Sequence, residues 1–311
     1  MATVTQARSA TLLYLLVISS SYPLATWLAD RVDPLMTVLS RFWIASAVLF
    51  LIYIFTKQRL PSLPKGSEWW RILLLAAPLA LYFISTFSAA KTQSPVVLAV
   101  LFTVAPLTPV LVGFLRKQNA SLQIIIAMFL GASAAVYLAL SRGSTNLGDT
   151  QIDSWLLIYC LSCLLFTANP ALIKNFGSGM PLLWRSFWIL LLSGIIMLMM
   201  TCISSVFNLG LIDTSVPDLN GWFVLIWIGI ICTAIPMFLY QYAAHTLNTV
   251  EMGGWHYALP VLVMIQQTIW LQGSLSSGEV GASMVITLAL LLLTVPLSKF
   301  SNSRAALSLS R

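Results

Sequence analysis

Ten stretches of predominantly apolar residues follow one another along this chain, separated by short polar connections. They run approximately over 10–29, 34–55, 70–90, 95–115 and 121–141, then over 154–175, 180–206, 221–245, 249–271 and 280–299. A helix rises about 1.5 Å per residue, so about twenty residues cross a hydrocarbon core roughly 30 Å thick. Lipid offers no hydrogen bonds to a backbone, and a helix satisfies its own. The pattern predicts an all-α integral membrane protein of ten transmembrane helices with no soluble domain left over. Composition points the same way: 59% of residues are hydrophobic and 8% charged, against roughly 25% charged in soluble domains. So few charges cannot cover a water-facing surface. The first stretch contains Ser19-Ser20-Ser21-Tyr22-Pro23 and no clear cleavage site, so it reads as a retained helix rather than a signal peptide.

The basic residues orient the bundle. With the amino terminus in the cytoplasm, the inside segments carry Arg8, Lys57, Arg59, Lys65, Arg71, Arg116, Lys117, Lys174, Lys299, Arg304 and Arg311. The outside loops carry only Arg31, Lys91 and Arg142. This bias is the positive-inside signature, and it places both termini in the cytoplasm. Because the basic residues are scattered through loops, the net charge of +7 reflects membrane orientation and not nucleic-acid binding. The four cysteines all lie in apolar stretches, which suggests no disulfide framework. Cys160-Leu-Ser-Cys163 has redox spacing, but inside an apolar helix it reads as a buried structural pair.

The chain also repeats itself. Ala89, Ala90, Thr92, Val96 and Pro106 recur without a gap as Ala243, Ala244, Thr246, Val250 and Pro260, at a constant offset of 154 residues, almost half the length of 311. Duplication divides the chain into a first five-helix repeat over 1–145, a second over 146–300, and a cytoplasmic tail over 301–311. An odd number of crossings per copy inserts the second upside down, giving inverted repeats with a substrate site near the midplane between them. The loop at Lys91 then lies outside and that at His245 inside. Pro23 follows Ser20-Ser21-Tyr22 in span 1, and Pro170 follows Thr167-Ala168-Asn169 in span 6. Each proline removes an amide donor and kinks its helix, leaving polar backbone to be satisfied locally. Pro106 and Pro260 form a second such pair in spans 4 and 9.

These features resemble the drug/metabolite transporter superfamily of EamA type, over essentially the whole chain. The specific parts are the paired Ala-Ala-Lys-Thr and Ala-Ala-His-Thr segments with a proline 14 residues after the threonine, and Pro34 with Arg41 and Pro181 with Arg185 near the starts of spans 2 and 7. The chain departs from the family's Gly-Glu pair, showing Lys117-Gln118-Asn119 after span 4, while Gly278-Glu279 comes late after span 9. The resemblance implies a metabolite transporter in a bacterial inner membrane, a monomer or homodimer, exporting amino acids or related small organic metabolites by alternating access. Cationic drugs or nucleotide-sugar-like metabolites are the alternative cargo. It also implies a central cavity among spans 1, 3, 4, 6, 8 and 9.

The polar and aromatic residues in those spans are the candidate lining: Tyr22, Tyr82, Thr103, Asn169, Tyr240, Gln241, Trp255, His256, Tyr257 and Gln266. On a continuous helix at about 100° per residue, Glu251, Trp255, Leu259, Leu262 and Gln266 share one face of span 9, and His256, Pro260 and Gln267 its neighbour. Ionisable groups at this depth usually face a cavity or a partner, so Glu251 and His256 are the candidates for proton coupling, with His256 favoured. Arg41 and Arg185 lie near helix ends, where long side chains snorkel to the interface. Aromatic walls with few fixed charges suit a neutral, zwitterionic or singly charged organic molecule; a sugar phosphate would ask for convergent Lys or Arg. No metal or cofactor site is expected. His245 and His256 are 11 residues apart along adjoining segments and cannot clamp a haem iron from both faces. No H-E-x-x-H, G-x-S-x-G or paired-aspartate motif marks a membrane-embedded enzyme.

Overall fold

The computed structural model describes residues 3–58, 60–104, 122–142, 154–177, 179–207, 217–270 and 276–294. These residues are helical almost throughout, in ten successive segments. α1 spans Val4–Ala29, α2 Pro34–Lys57, α3 Ser67–Ala89, α6 Ser154–Phe176, α7 Leu182–Val206 and α8 Leu219–Thr246, each long and apolar enough to cross a membrane. α4 is described over Pro95–Leu101 with a 3-10 turn at Phe102–Val104. α5 is Leu122–Arg142, α9 runs through Thr249–Trp255 and Ala258–Trp270, and α10 is Ser277–Thr294. The spans expected from hydropathy match these helices to within a few residues, apart from α1, which begins six residues earlier and takes Arg8 inside it. The second half of span 4, Pro106, the Lys117-Gln118-Asn119 segment, the division between 145 and 146 and the tail over 301–311 lie outside the described residues.

Helix starts carry the caps that unpaired amides require. Asp33 caps α2 by accepting from the amides of Leu35 and Met36, with Pro34 in the first turn. Gly278-Glu279, late for the family pattern, belongs to a capping box: the Ser276 amide donates to the Glu279 carboxylate at 2.7 Å, and the Glu279 amide donates back to the Ser276 hydroxyl. Ser94 and Asn248, which stand 154 residues apart, do the same job in the two halves. Ser94 accepts from the Val97 amide at the start of α4, and Asn248 from the Glu251 amide at 2.7 Å at the start of α9. The duplication is therefore local structure as well as letters.

Packing follows an exchange of the two halves. α1 lies on α8 as α6 lies on α3; α2 lies on α8 as α7 lies on α3; and α2–α7, α4–α9 and α5–α10 pair with their own counterparts. This is the arrangement of two inverted five-helix repeats. Apolar side chains such as Phe55, Phe129, Met199 and Phe223 are exposed on the outer surfaces, as helices apolar all round require where lipid is the solvent.

Candidate functional site

Proline positions shape the centre of the bundle. A proline cannot donate to the carbonyl four residues before it, and its ring crowds that carbonyl. α1 breaks at Ser20, three residues before Pro23; α6 breaks at Thr167-Ala168, before Pro170; α9 breaks at His256-Tyr257, before Pro260. Side chains take up the backbone around these breaks. The Ser20 hydroxyl donates to the Val17 carbonyl at 2.7 Å, Thr167 to Leu164 at 2.6 Å, and the Gln266 amide of α9 to Leu16 of α1 at 3.0 Å. In α8, Pro236 follows a π-helical turn over Ile230–Ala234.

Where the broken helices meet, a narrow cavity is lined by rings. Tyr14 and Tyr22 come from α1, Tyr82 and Phe83 from α3, Phe102 from α4, Phe166 from α6 and Tyr240 from α8. Cys232, Thr233 and Met237 of α8, Leu190 of α7 and Leu259 of α9 are also part of the wall. Tyr82, Phe166 and Tyr240 form a near-parallel stack, with centroids 4.9 and 5.7 Å apart and interplanar angles of 19° and 22°. The Tyr22 and Tyr82 hydroxyls share a hydrogen bond of 2.7 Å. Water-accessible space amounts to about 30 Å³, room for a water molecule or two. An organic solute fits only when the helices part, so this conformation is closed.

Of the candidate lining residues, Tyr22, Tyr82 and Tyr240 lie on the cavity. His256 sits just behind it, at the α9 break. Its Nε2 is 3.3 Å from the Tyr14 hydroxyl, and its ring stands edge-on to Phe102 at 4.9 Å. Its Nδ1 lies beside the backbone of Met252 and Gly253 without a partner in good geometry. Asn169 Oδ1, Gln241 Oε1 and Trp255 Nε1 are also buried without partners, on α6, α8 and α9, just past the ring layer toward the end of the bundle where Arg8 lies. Thr103 donates to its own helix at Val100, and Gln266 bonds α1 as above. Tyr257 points away from the cavity: its hydroxyl donates to the Met128 carbonyl of α5 at 3.2 Å, and its ring fills the space over Gly131. Adjacent residues of a helix point about 100° apart, so Tyr257 faces α5 where His256 faces the rings, and the turn at His256-Tyr257 interrupts the two neighbouring faces expected along span 9.

Glu251 is engaged elsewhere, its carboxylate accepting from Arg8 Nε at 2.6 Å and lying within electrostatic range of Lys174. It closes one end of the bundle between α1, α6 and α9. The two membrane arginines correct the snorkelling expectation: Arg41 is 0% and Arg185 1% exposed. Arg185 donates to the Gly177 carbonyl at 2.6 Å. Arg41 donates to the Thr233 hydroxyl at 2.9 Å and the Cys232 carbonyl at 3.1 Å, and covers the faces of Phe83 and Phe87. Cys232 is the residue four before Pro236, so the carbonyl that this proline cannot use is taken by the guanidinium.

Sequence reasoning missed Phe102 and Phe166. Both stand four residues before a proline, as His256 does, and that spacing was the available signal. The ring at such a position is carried by the turn that loses its regular bond. Tyr14 has no comparable local mark.

The sequence model of the EamA-like transporter family matches residues 8–140 and again 153–295. No curated protein sequence gives a significant match. A solved crystal structure sharing 18% sequence identity superposes with a TM-score of 0.71, covering 92% of this chain and 97% of its own; at that identity the likeness concerns the fold.

Proposed function

The chain belongs to the EamA-like transporter family, and on that premise we propose that it exports amino acids or related small organic metabolites by alternating access through the ring-lined cavity. Members of the family are membrane transporters of small solutes, not enzymes. The observation that carries the reading is a closed aromatic cavity assembled where proline-broken helices of both halves meet. Irregular backbone at membrane depth is tolerated where it lines such a site. The two repeats divide near residue 145, the termini face the cytoplasm of a bacterial inner membrane, and the Arg8–Glu251 end is the cytoplasmic one. Export then begins by parting α1 from α9 there and ends by opening the Lys91 side. His256, behind the ring layer with an unpaired Nδ1, is the group we assign to proton coupling; Glu251 is held by Arg8.

Proteoliposomes loaded with a mixture of radiolabelled amino acids test the proposal. Efflux above that of empty liposomes, lost when Tyr82 and Tyr240 are both replaced by alanine, is expected. Efflux equal to the empty liposomes for every compound would overturn it.

A further inference from the structure

Among the described residues, Arg41 is the charged side chain packed directly against the cavity wall. Its guanidinium carbon is 3.8 Å from the centroid of Phe83, its Nε donates to Thr233 and its Nη2 to the Cys232 carbonyl. Phe83, Thr233 and Cys232 all line the cavity. Tyr22 and Tyr82 are also within electrostatic range of it. A guanidinium carries its charge at neutral pH, and none of the groups holding it is anionic: two hydroxyls, one carbonyl and two phenyl faces. Asp33 caps the start of the same helix, eight residues away, about 12 Å along the axis. Glu251 is paired with Arg8 where α1 and α9 begin, outside the cavity lining. Neutral donors and rings solvate this cation without cancelling its charge, and in an apolar interior such a field extends well beyond its immediate neighbours.

Aromatic walls alone would favour an organic cation. Here Arg41 already occupies the faces of Phe83 and Phe87, and a second cation across the Phe83 ring would meet like charge. We propose that Arg41 sets the charge preference of the cavity: it selects solutes bearing a carboxylate, whose apolar part lies among Tyr82, Phe166 and Tyr240, and it rejects organic amines. The inference rests on the ring-lined cavity being the solute site. A carboxylate about 8 Å from the guanidinium, at an effective dielectric of about 20, gains roughly thirty-fold in affinity from that charge. The solute's own desolvation is the same with or without Arg41, so it cancels when variants are compared.

The test uses phenylacetate, phenylacetamide and phenethylamine, which share a ring and differ in charge. Binding to the purified full-length protein is followed by thermal shift and by competition with efflux from proteoliposomes. The parent protein is expected to bind the acid above the amide and the amine least. Arg41→Gln should lose roughly thirty-fold in affinity for the acid while its affinity for the amide stays within a few-fold; Arg41→Lys, which keeps the charge, should retain the acid preference. If Arg41→Gln does not fold, the ranking in the parent protein decides alone. An amine bound as well as the acid, or a ranking unchanged in Arg41→Gln, overturns the charge assignment and leaves the cavity as the solute site. If none of the three binds and no solute is transported, both readings fall.

Discussion

Replacing Glu251 with glutamine should open the Arg8–Glu251 end of the bundle. The pair with Arg8 joins α1 to α9, so it exists only while those helices are together. The substitution spares the helix start, because the residue 251 amide still donates to Asn248. Arg8 is 39% exposed and Glu251 10%, so replacing the carboxylate leaves no fully buried charge behind. A pair of this exposure is worth about 1 kcal/mol, and that loss shifts a two-state equilibrium about fivefold. Cys232 is a built-in reporter, since it lines the cavity and is fully buried in the closed state. With Cys160, Cys163 and Cys202 changed to serine, alkylation of Cys232 by a small maleimide in inside-out vesicles should run about fivefold faster in Glu251→Gln. High salt should raise the parent rate part of the way toward the variant's, as screening weakens a half-buried pair less than an exposed one. The charge-swapped protein, Arg8→Glu with Glu251→Arg, should return to the slow rate. An alkylation rate unchanged by Glu251→Gln, or a swap as fast as the single variant, would refute the latch.

Pro23→Ala and Pro170→Ala restore a donor at the breaks in α1 and α6, and each should lower efflux while expression persists; normal efflux in both would show that the site does not depend on these breaks. Tyr82→Phe removes the hydrogen bond between the Tyr22 and Tyr82 hydroxyls and should cost about 1 kcal/mol of stability together with a rise in the solute concentration for half-maximal efflux. Tyr257→Phe removes a bond to α5 and should cost about 1 kcal/mol with efflux unaltered, so the two variants measured side by side separate cavity from scaffold. His256→Gln should abolish the response of efflux to an imposed pH gradient, whereas Glu251→Gln should keep it; an equal response in both would place the proton elsewhere. A cysteine at Lys91 should react with an impermeant thiol reagent from outside, and one at His245 only after lysis. Labelling of both from one side would end the inverted arrangement.

Legible in the order of the residues are the features written locally along one helix. Lipid-length apolar runs set the ten spans, a residue offset showed the duplication, and an odd count per copy made the repeats inverted. Pro23, Pro170 and Pro260 placed the breaks, because losing an amide acts on the same helix within four residues. Tyr22, Tyr82 and Tyr240 were legible too, as polar rings beside those breaks or on the helices facing them. Which faces turn inward depends on packing between helices. These helices are apolar nearly all round, so periodicity does not tell a cavity face from a lipid face. Only packing brought Tyr82, Phe166 and Tyr240 of three different helices into one stack. Only packing set Tyr257 against α5 while His256 stayed by the rings. Partners distant in sequence settled the charges in the same way: Glu251 met Arg8 across 243 positions. Arg41, placed by span position at the interface, was drawn inside by a carbonyl that Pro236, 195 residues further on, cannot use.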